Sequence, residues 1–199
     1  MKSPWVLPRG LLILASGSPR RQALLRAQGV RFRVAAQDVD ETWRGERPEA
    51  LARKLALEKA LSAARRHPRA WCLGADTVVA LGNEVFGKPA SRREAAGMLR
   101  RLSGRWHRVI TGVALVGPGF RGLRSVTTHV RFLRLTPAVI TWYVTGREPY
   151  DKAGAYAAQG KGAVLLAAID GDAPNVIGLP LGATRALLAR AAKRRPKPG

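Results

Sequence analysis

Residues 71–81 read Trp71-Cys72-Leu73-Gly74-Ala75-Asp76-Thr77-Val78-Val79-Ala80-Leu81, and the architecture turns on how they are interpreted. Polar and apolar residues alternate too little here for a strand with one wet face. The run therefore reads as a strand buried on both faces, the kind that helices cover from two sides. The Gly82-Asn83 pair behind it is a hairpin turn signal. Ahead of it, Pro48 to about Arg66 carries alanine and leucine at helical spacing and predicts a long helix. One carboxylate, Asp76, lies inside the apolar run. Burying it is costly unless it is paired, hydrogen-bonded or bound to a metal. The chain has only 13 acidic residues in 199, so solvating surface charge does not explain this one. Asp76 is a candidate metal ligand or general base; the plainer reading is a structural aspartate holding a loop or an arginine.

Further out, Leu11 to Ala15 predicts a short buried strand, and Ser18-Pro19 an N-cap with proline at the first helical position, opening a helix that stops near Gly29. The turn between them, Ala15-Ser16-Gly17-Ser18-Pro19-Arg20-Arg21, has the makings of a phosphate site. A helix N-terminus offers free N–H groups and partial positive charge, Gly17 permits close backbone approach, and two serine hydroxyls and two arginines add donors. An ordinary capped turn with solvated arginines is the alternative. A strand over Phe32 to Ala35 follows, then a polar stretch from Gln37 to Arg47.

Beyond the hairpin, Ser91 to Glu94 is a capping box for a helix ending at Gly104. His107 to Val116 and Arg124 to Leu133 predict antiparallel strands about a Gly-Pro-Gly turn. Thr136-Pro137 caps a helix running to about Thr145, Ala163 to Ile169 is one more strand, and Leu181 to Arg195 a basic terminal helix. The order is strand–helix–strand–helix–strand, then antiparallel strands and more helices. It predicts an α/β protein, a mixed sheet covered by helices, in one domain over 1–199, with a flexible leader (1–9) and basic tail (193–199).

Lysine and arginine number 35, for a net charge of +22, and such a field attracts polyanions without choosing among nucleotides, nucleic acids and anionic membranes. Cys72 is the single cysteine, which excludes an internal disulfide and points to a reducing compartment. No apolar run is long enough for a signal peptide or a membrane span, so a cytoplasmic protein is expected. His67, His107 and His129 show no metal spacing, and neither a Walker A loop nor a Gly-x-Ser-x-Gly elbow occurs.

Several residues are candidate partners for Asp76. Asp40-Glu41 offers adjacent acids suited to a hard divalent cation, or else exposed loop charges. Lys59 lies at the edge of the packed face of the long helix, where a lysine can also simply snorkel. Lys88, between Gly87 and Pro89, can hold a phosphate as a point charge. The runs Glu148 to Gly160 and Asn175 to Leu181, rich in small residues, read as rigid, close-packed loops.

Taken in order, Ser16-Gly-Ser-Pro-Arg-Arg21, Glu58-Lys-Ala60, Gly74-Ala-Asp-Thr77, Gly87-Lys-Pro89, Leu102-Ser-Gly104 with His107 and Thr111-Gly-Val113, Glu148 to Gly160, and Asn175 to Leu181 resemble the Maf family of nucleoside triphosphate pyrophosphatases. The resemblance implies an elongated mixed sheet flanked by helices with a central cleft, related to the inosine triphosphate pyrophosphatases, and often a homodimer. It implies hydrolysis of a nucleoside triphosphate to monophosphate and pyrophosphate with a divalent cation, Mg²⁺ or Mn²⁺. Asp76 would be the proton acceptor or metal-organising carboxylate, Glu41 its acidic partner and fellow metal ligand, and Lys59 and Lys88 the groups that neutralise the triphosphate. Ser16, Gly17, Ser18, Arg20 and Arg21 would bind substrate. Arg20, Thr77 and Gln159 match the selectivity positions of the branch acting on dTTP and UTP. The alternatives are a branch acting on 7-methyl-GTP or other modified nucleotides, and a nucleic-acid-binding or cell-division regulatory protein. Against the latter, the basic residues are scattered and no nucleic-acid motif appears, so neither nucleic acid nor membrane is an expected partner.

Overall fold

The computed structural model describes residues 4–194. Three short elements open the chain: β1 (Leu12–Leu14), α1 (Pro19–Ala27) and β2 (Arg33–Val34). The long α2 (Pro48–Arg66) leads into β3 (Trp71–Leu81), which turns through Gly82-Asn83 into β4 (Glu84–Phe86). Then come α3 (Arg92–Leu102), the hairpin β5 (Trp106–Gly117) and β6 (Phe120–Phe132), α4 (Pro137–Thr145), a loop of three 3₁₀ turns, β7 (Leu166–Asp170), α5 (Ala173–Ile177) and α6 (Leu181–Ala192). All seven strands form one sheet in the order β2-β1-β3-β5-β6-β7, with β4 pairing β3 off that path. β1 is parallel to both β2 and β3, whereas β3, β5, β6 and β7 are antiparallel neighbours. The fold is the expected mixed α/β sheet.

β3 is buried from Trp71 to Asp76, and its residues divide between two sides. Gly74, Asp76, Val78 and Ala80 face α2, where Val78 and Ala80 pack with Leu51, Ala52 and Leu55. Leu73 and Ala75 turn the other way, into a core with Leu14, Leu25, Val113, Leu179 and Leu187. α2 lies unusually close to the sheet, since its buried stripe is alanine (Ala52, Ala56, Ala60, Ala63) and the strands beneath it carry Gly74 and Gly112.

On one edge β3 is paired to β5 from Cys72 to Ala80. On the other, β1 pairs only with Trp71 to Leu73 and β4 only with Val79 to Leu81. The edge between, from Gly74 to Val78, has no neighbouring strand among the described residues. Side chains from both faces of β3 reach this gap, and the cleft opens there.

Two strand starts and the leader differ from the sequence expectation. β6 begins at Phe120 rather than Arg124, which puts Gly122 inside the strand, where a Cβ would meet Leu187 at 2.7 Å. β7 begins at Leu166 rather than Ala163, since Gly160–Leu165 is held in a 3₁₀ turn by Glu148, whose carboxylate accepts from the amides of Lys161 and Gly162 at 3.1 and 2.8 Å. In the leader, Trp5 is buried against the core of Leu12, Leu14 and Trp71. The remainder of the leader (1–3) and most of the tail (195–199) lie outside the described residues.

Candidate active site

The turn from β1 into α1 forms one wall. Ser18 caps α1, its Oγ accepting from the Arg21 amide at 3.5 Å, with Pro19 at the first helical position. The two arginines then diverge. Arg21 is buried and gives Nε to Gly178 O at 2.8 Å, Nη1 to Ser16 Oγ at 2.9 Å and Nη2 to Thr77 Oγ1 at 3.0 Å. Burial pulls its pKa below the ordinary arginine value, and nearby Asp76 pulls it back up. Arg21 thus staples the turn to β3 and to the end of α5. Arg20 is more open, with Nε 3.4 Å from Ile177 O and an ion pair to exposed Asp151 at 3.6 Å. Such a surface pair is weak, so Arg20 is free to exchange it for a ligand.

The floor is a chain of alternating charges. Asp76 on β3 and Lys59 on α2, both buried, pair at 2.6 Å between Oδ1 and Nζ. The same Nζ reaches Glu41 Oε1 at 2.7 Å, and Glu41 Oε2 accepts from Lys88 at 2.8 Å. Glu41 comes from the polar loop between β2 and α2, and Lys88 from the loop after β4. Partial burial of Glu41 opposes ionisation, but hydrogen bonds from Lys59 and Lys88 outweigh it and hold the carboxyl at about 2. Lys59 therefore does not snorkel to solvent; it sits between two acids.

A rigid loop forms the roof. Tyr143 on α4 donates to Glu148 at 3.0 Å, and Lys152 to the Glu148 carbonyl at 2.7 Å. Gly154, at φ 69, packs where a Cβ would stand 2.9 Å from Val79. This close packing leaves Gln159 exposed on the rim, its amide without a hydrogen-bond partner among the described residues.

Ser16, Gly17, Ser18, Arg20, Arg21, Glu41, Lys59, Asp76, Thr77, Lys88 and Gln159 all line one cleft of about 420 Å³. Three further residues at or beneath it had not stood out in the sequence as bonding partners. Thr111, directly across from Thr77 on β5, shares a 3.0 Å contact between hydroxyls; Asn175 accepts from Thr111 through its carbonyl; Asp151 pairs with Arg20. The Thr77–Thr111 pairing is a matter of strand register, which appears only once β3 and β5 are aligned.

A hard divalent cation suits these donors. Asp76 spends Oδ1 on Lys59, while Oδ2 has no protein donor among the described residues, and Glu41 stands one lysine away. No cluster of three or more His, Cys, Asp or Glu side chains occurs among the described residues. Mg²⁺ tolerates so sparse a set, because it binds through one or two carboxylates and completes its shell with water and phosphate oxygens.

The chain is 55% identical over 182 residues to a Myxococcus xanthus protein named dTTP/UTP pyrophosphatase, covering 91% of this chain and 92% of that one. A Symbiobacterium thermophilum protein of the same name is 52% identical over 184 residues (90% and 93%). Among solved structures, a nucleoside-triphosphatase (dITP/XTP pyrophosphatase) from Mycobacterium abscessus aligns over 92% of this chain and 95% of its own, at 13% identity and a TM-score of 0.47. Residues 11–191 match the family described as Maf-like protein, and the chain belongs to that family.

Proposed function

We propose that the protein hydrolyses dTTP and UTP between the α- and β-phosphates, giving the nucleoside monophosphate and pyrophosphate. The observation that carries this is the alternation Asp76–Lys59–Glu41–Lys88 on the floor of a cleft whose wall is a helix N-terminus with two arginines. The relatives named for dTTP and UTP support the choice of nucleotide.

In this reading the triphosphate lies along the Ser16–Arg21 turn, and Lys59, Lys88, Arg20 and Arg21 stabilise the charge that builds on the phosphates. Asp76 orients or deprotonates the attacking water. Asp76 and Glu41 would hold a divalent cation, Mg²⁺ or Mn²⁺, which when bound would polarise the phosphate and lower the pKa of the water. Gln159, with donor and acceptor on one amide, reads the uracil or thymine edge from the rim. The same site accepts modified pyrimidine nucleotides in which that edge is unchanged.

The setting we propose is the cytoplasm, with free nucleotides rather than nucleic acid as the partner, and a homodimer as the working form. One cysteine, pushed up to about 11 by burial, suits a reducing compartment, and no helix among the described residues is long and apolar enough to cross a membrane. The deciding experiment measures pyrophosphate release across a nucleotide panel with and without Mg²⁺. Metal-dependent release from UTP and dTTP is expected; orthophosphate as the first product, or preferred turnover of 7-methyl-GTP, overturns the assignment.

A further inference from the structure

Thr77 and Thr111 face each other across β3 and β5, with their hydroxyl oxygens 3.0 Å apart. Each hydroxyl has a single proton to give. Thr111, fully buried, lies 3.0 Å from the carbonyl oxygen of Asn175, which can only accept, so the Thr111 proton is committed there. That carbonyl is held in place. Asn175 is itself fully buried, and its side-chain amide donates to Val109 O at 2.9 Å and Thr128 Oγ1 at 3.0 Å. From the other side Arg21 Nη2, which can only donate, reaches Thr77 Oγ1 at 3.0 Å. The direction of every bond follows: Arg21 donates to Thr77, Thr77 to Thr111, and Thr111 to Asn175. The Thr77 hydroxyl has no proton left for a ligand, only a lone pair.

We propose that Thr111, acting through Thr77, is a specificity-positioning residue: it fixes Thr77 as an acceptor-only group, so that the cleft selects a base bearing a ring N–H at that point over one bearing an unprotonated ring nitrogen. Uracil and thymine carry N3–H, and cytosine has a bare N3. The inference rests on the pyrimidine triphosphate reading above, with Gln159 on the carbonyl edge of the base and Thr77 at its ring N–H, and adds a buried residue that never touches substrate. A hydroxyl free to rotate would serve either base, giving its proton to cytosine N3 or accepting from uracil N3–H. One whose proton is already committed serves only the second. Discrimination built on a hydrogen-bond mismatch is larger than shape alone provides, because the wrong base leaves buried polar groups unpaired.

The test compares kcat/KM for UTP and CTP in wild type, Thr111→Val, Thr111→Ser and Thr77→Val. Thr111→Val keeps the shape of the side chain but cannot accept, freeing the Thr77 proton. The UTP/CTP ratio should fall about tenfold or more. Thr111→Ser, which restores the hydroxyl, should return it to the wild-type value. A merely structural role would lower both rates together and leave the ratio unmoved. Should Thr111→Val not fold, Thr111→Cys, a weak donor and weak acceptor, should give a smaller fall in the same direction. If Thr77→Val lowers the ratio while neither Thr111→Val nor Thr111→Cys does, the relay is wrong and the base-site reading stands. If Thr77→Val leaves the ratio unchanged as well, the placement of the base at Thr77 is wrong, and the relay falls with it.

Discussion

Gly74 of β3 lies so close beneath α2 that a Cβ on it would stand 2.7 Å from the Ala60 amide nitrogen and nearer still to the Ala56 carbonyl. Both are backbone atoms in the middle of a helix, which cannot yield as a side-chain tip can. The closeness has a chemical consequence at the next residue, because Lys59 sits beside Ala60 and meets Asp76, two residues beyond Gly74 on the same face. Gly74→Ala should lift α2 from the sheet and draw the ammonium off the carboxylate. Overpacking of this kind costs about 1–3 kcal/mol, and a 1 Å displacement of a reacting group costs about 10²-fold in rate. Thermal melts and kcat should therefore both drop, kcat the more severely. A Gly74→Ala variant with normal turnover would show that the spacing is not used.

Asp76→Asn keeps the volume of the side chain and removes its charge. Lys59 retains Glu41 at 2.7 Å, so the buried ammonium is not left alone and the fold should survive. The water loses its base or its orienting carboxylate, a loss of about 10²–10⁴-fold in kcat. Circular dichroism and pyrophosphate release on the same preparation check both halves. Near-normal turnover would remove Asp76 from the mechanism.

Much of this was legible in the residues, and the exceptions share a cause. The β3 run, the Pro48–Arg66 helix and the Ser18-Pro19 start of α1 each announce themselves through local pattern, and the structure has them at those places. Lys59 could be placed at the edge of its helix's packed face, but not between Asp76 and Glu41, since that depends on how deeply α2 sinks onto Gly74 and Gly112. Arg20 and Arg21 are alike in sequence; the positions of Ser16, Thr77 and Gly178 around Arg21 set them apart. Gly122 lies inside β6, where the space a Cβ would take belongs to Leu187 of α6, a segment far along the chain. Spacing along the chain carries local structure, whereas close approach between distant segments does not show in it.

Glu41 joins two lysines that the phosphates also need. Held at about 2, it is ionised throughout the working range and competes with any anion for Lys59 and Lys88. Glu41→Gln should therefore tighten binding of pyrophosphate measured without metal. The same change removes a cation ligand, so turnover should need several-fold more Mg²⁺ and reach a lower maximum. Calorimetry with pyrophosphate and a Mg²⁺ titration of activity separate the two effects. An unchanged Mg²⁺ requirement would exclude Glu41 as a metal ligand.

Gln159 is exposed on the rim of the cleft, with its amide uncommitted among the described residues. Gln159→Ala should blur discrimination among nucleotides more than it slows phosphate chemistry. The expected pattern is a rise in KM for UTP and dTTP with kcat changed little. Selectivity that is the same across the panel would refute its role in reading the base.

His107 supplies a pH dependence unconnected with catalysis. Buried edge-on against Phe132 and Tyr156, with Nε2 2.7 Å from the Tyr156 hydroxyl, it has its pKa pushed down to about 4 by burial, only partly offset by the polarity of the nearby Arg105 backbone. In the unfolded chain an ordinary histidine titrates near 6.5, so between pH 6.5 and 4 the unfolded state binds more protons than the folded one. Stability should fall as pH is lowered through that window, by about 3 kcal/mol for a shift of this size, and this group should contribute no further loss below it. Glu41, with its depressed pKa, loses its contribution only at lower pH, as its carboxyl protonates between about 4.5 and 2. His107→Gln keeps an acceptor for Tyr156 and cannot take up a proton. Denaturant melts from pH 7 to 4 should slope for the wild type and flatten for the variant; parallel curves for the two proteins would show that the buried imidazole is not what makes the fold acid-sensitive.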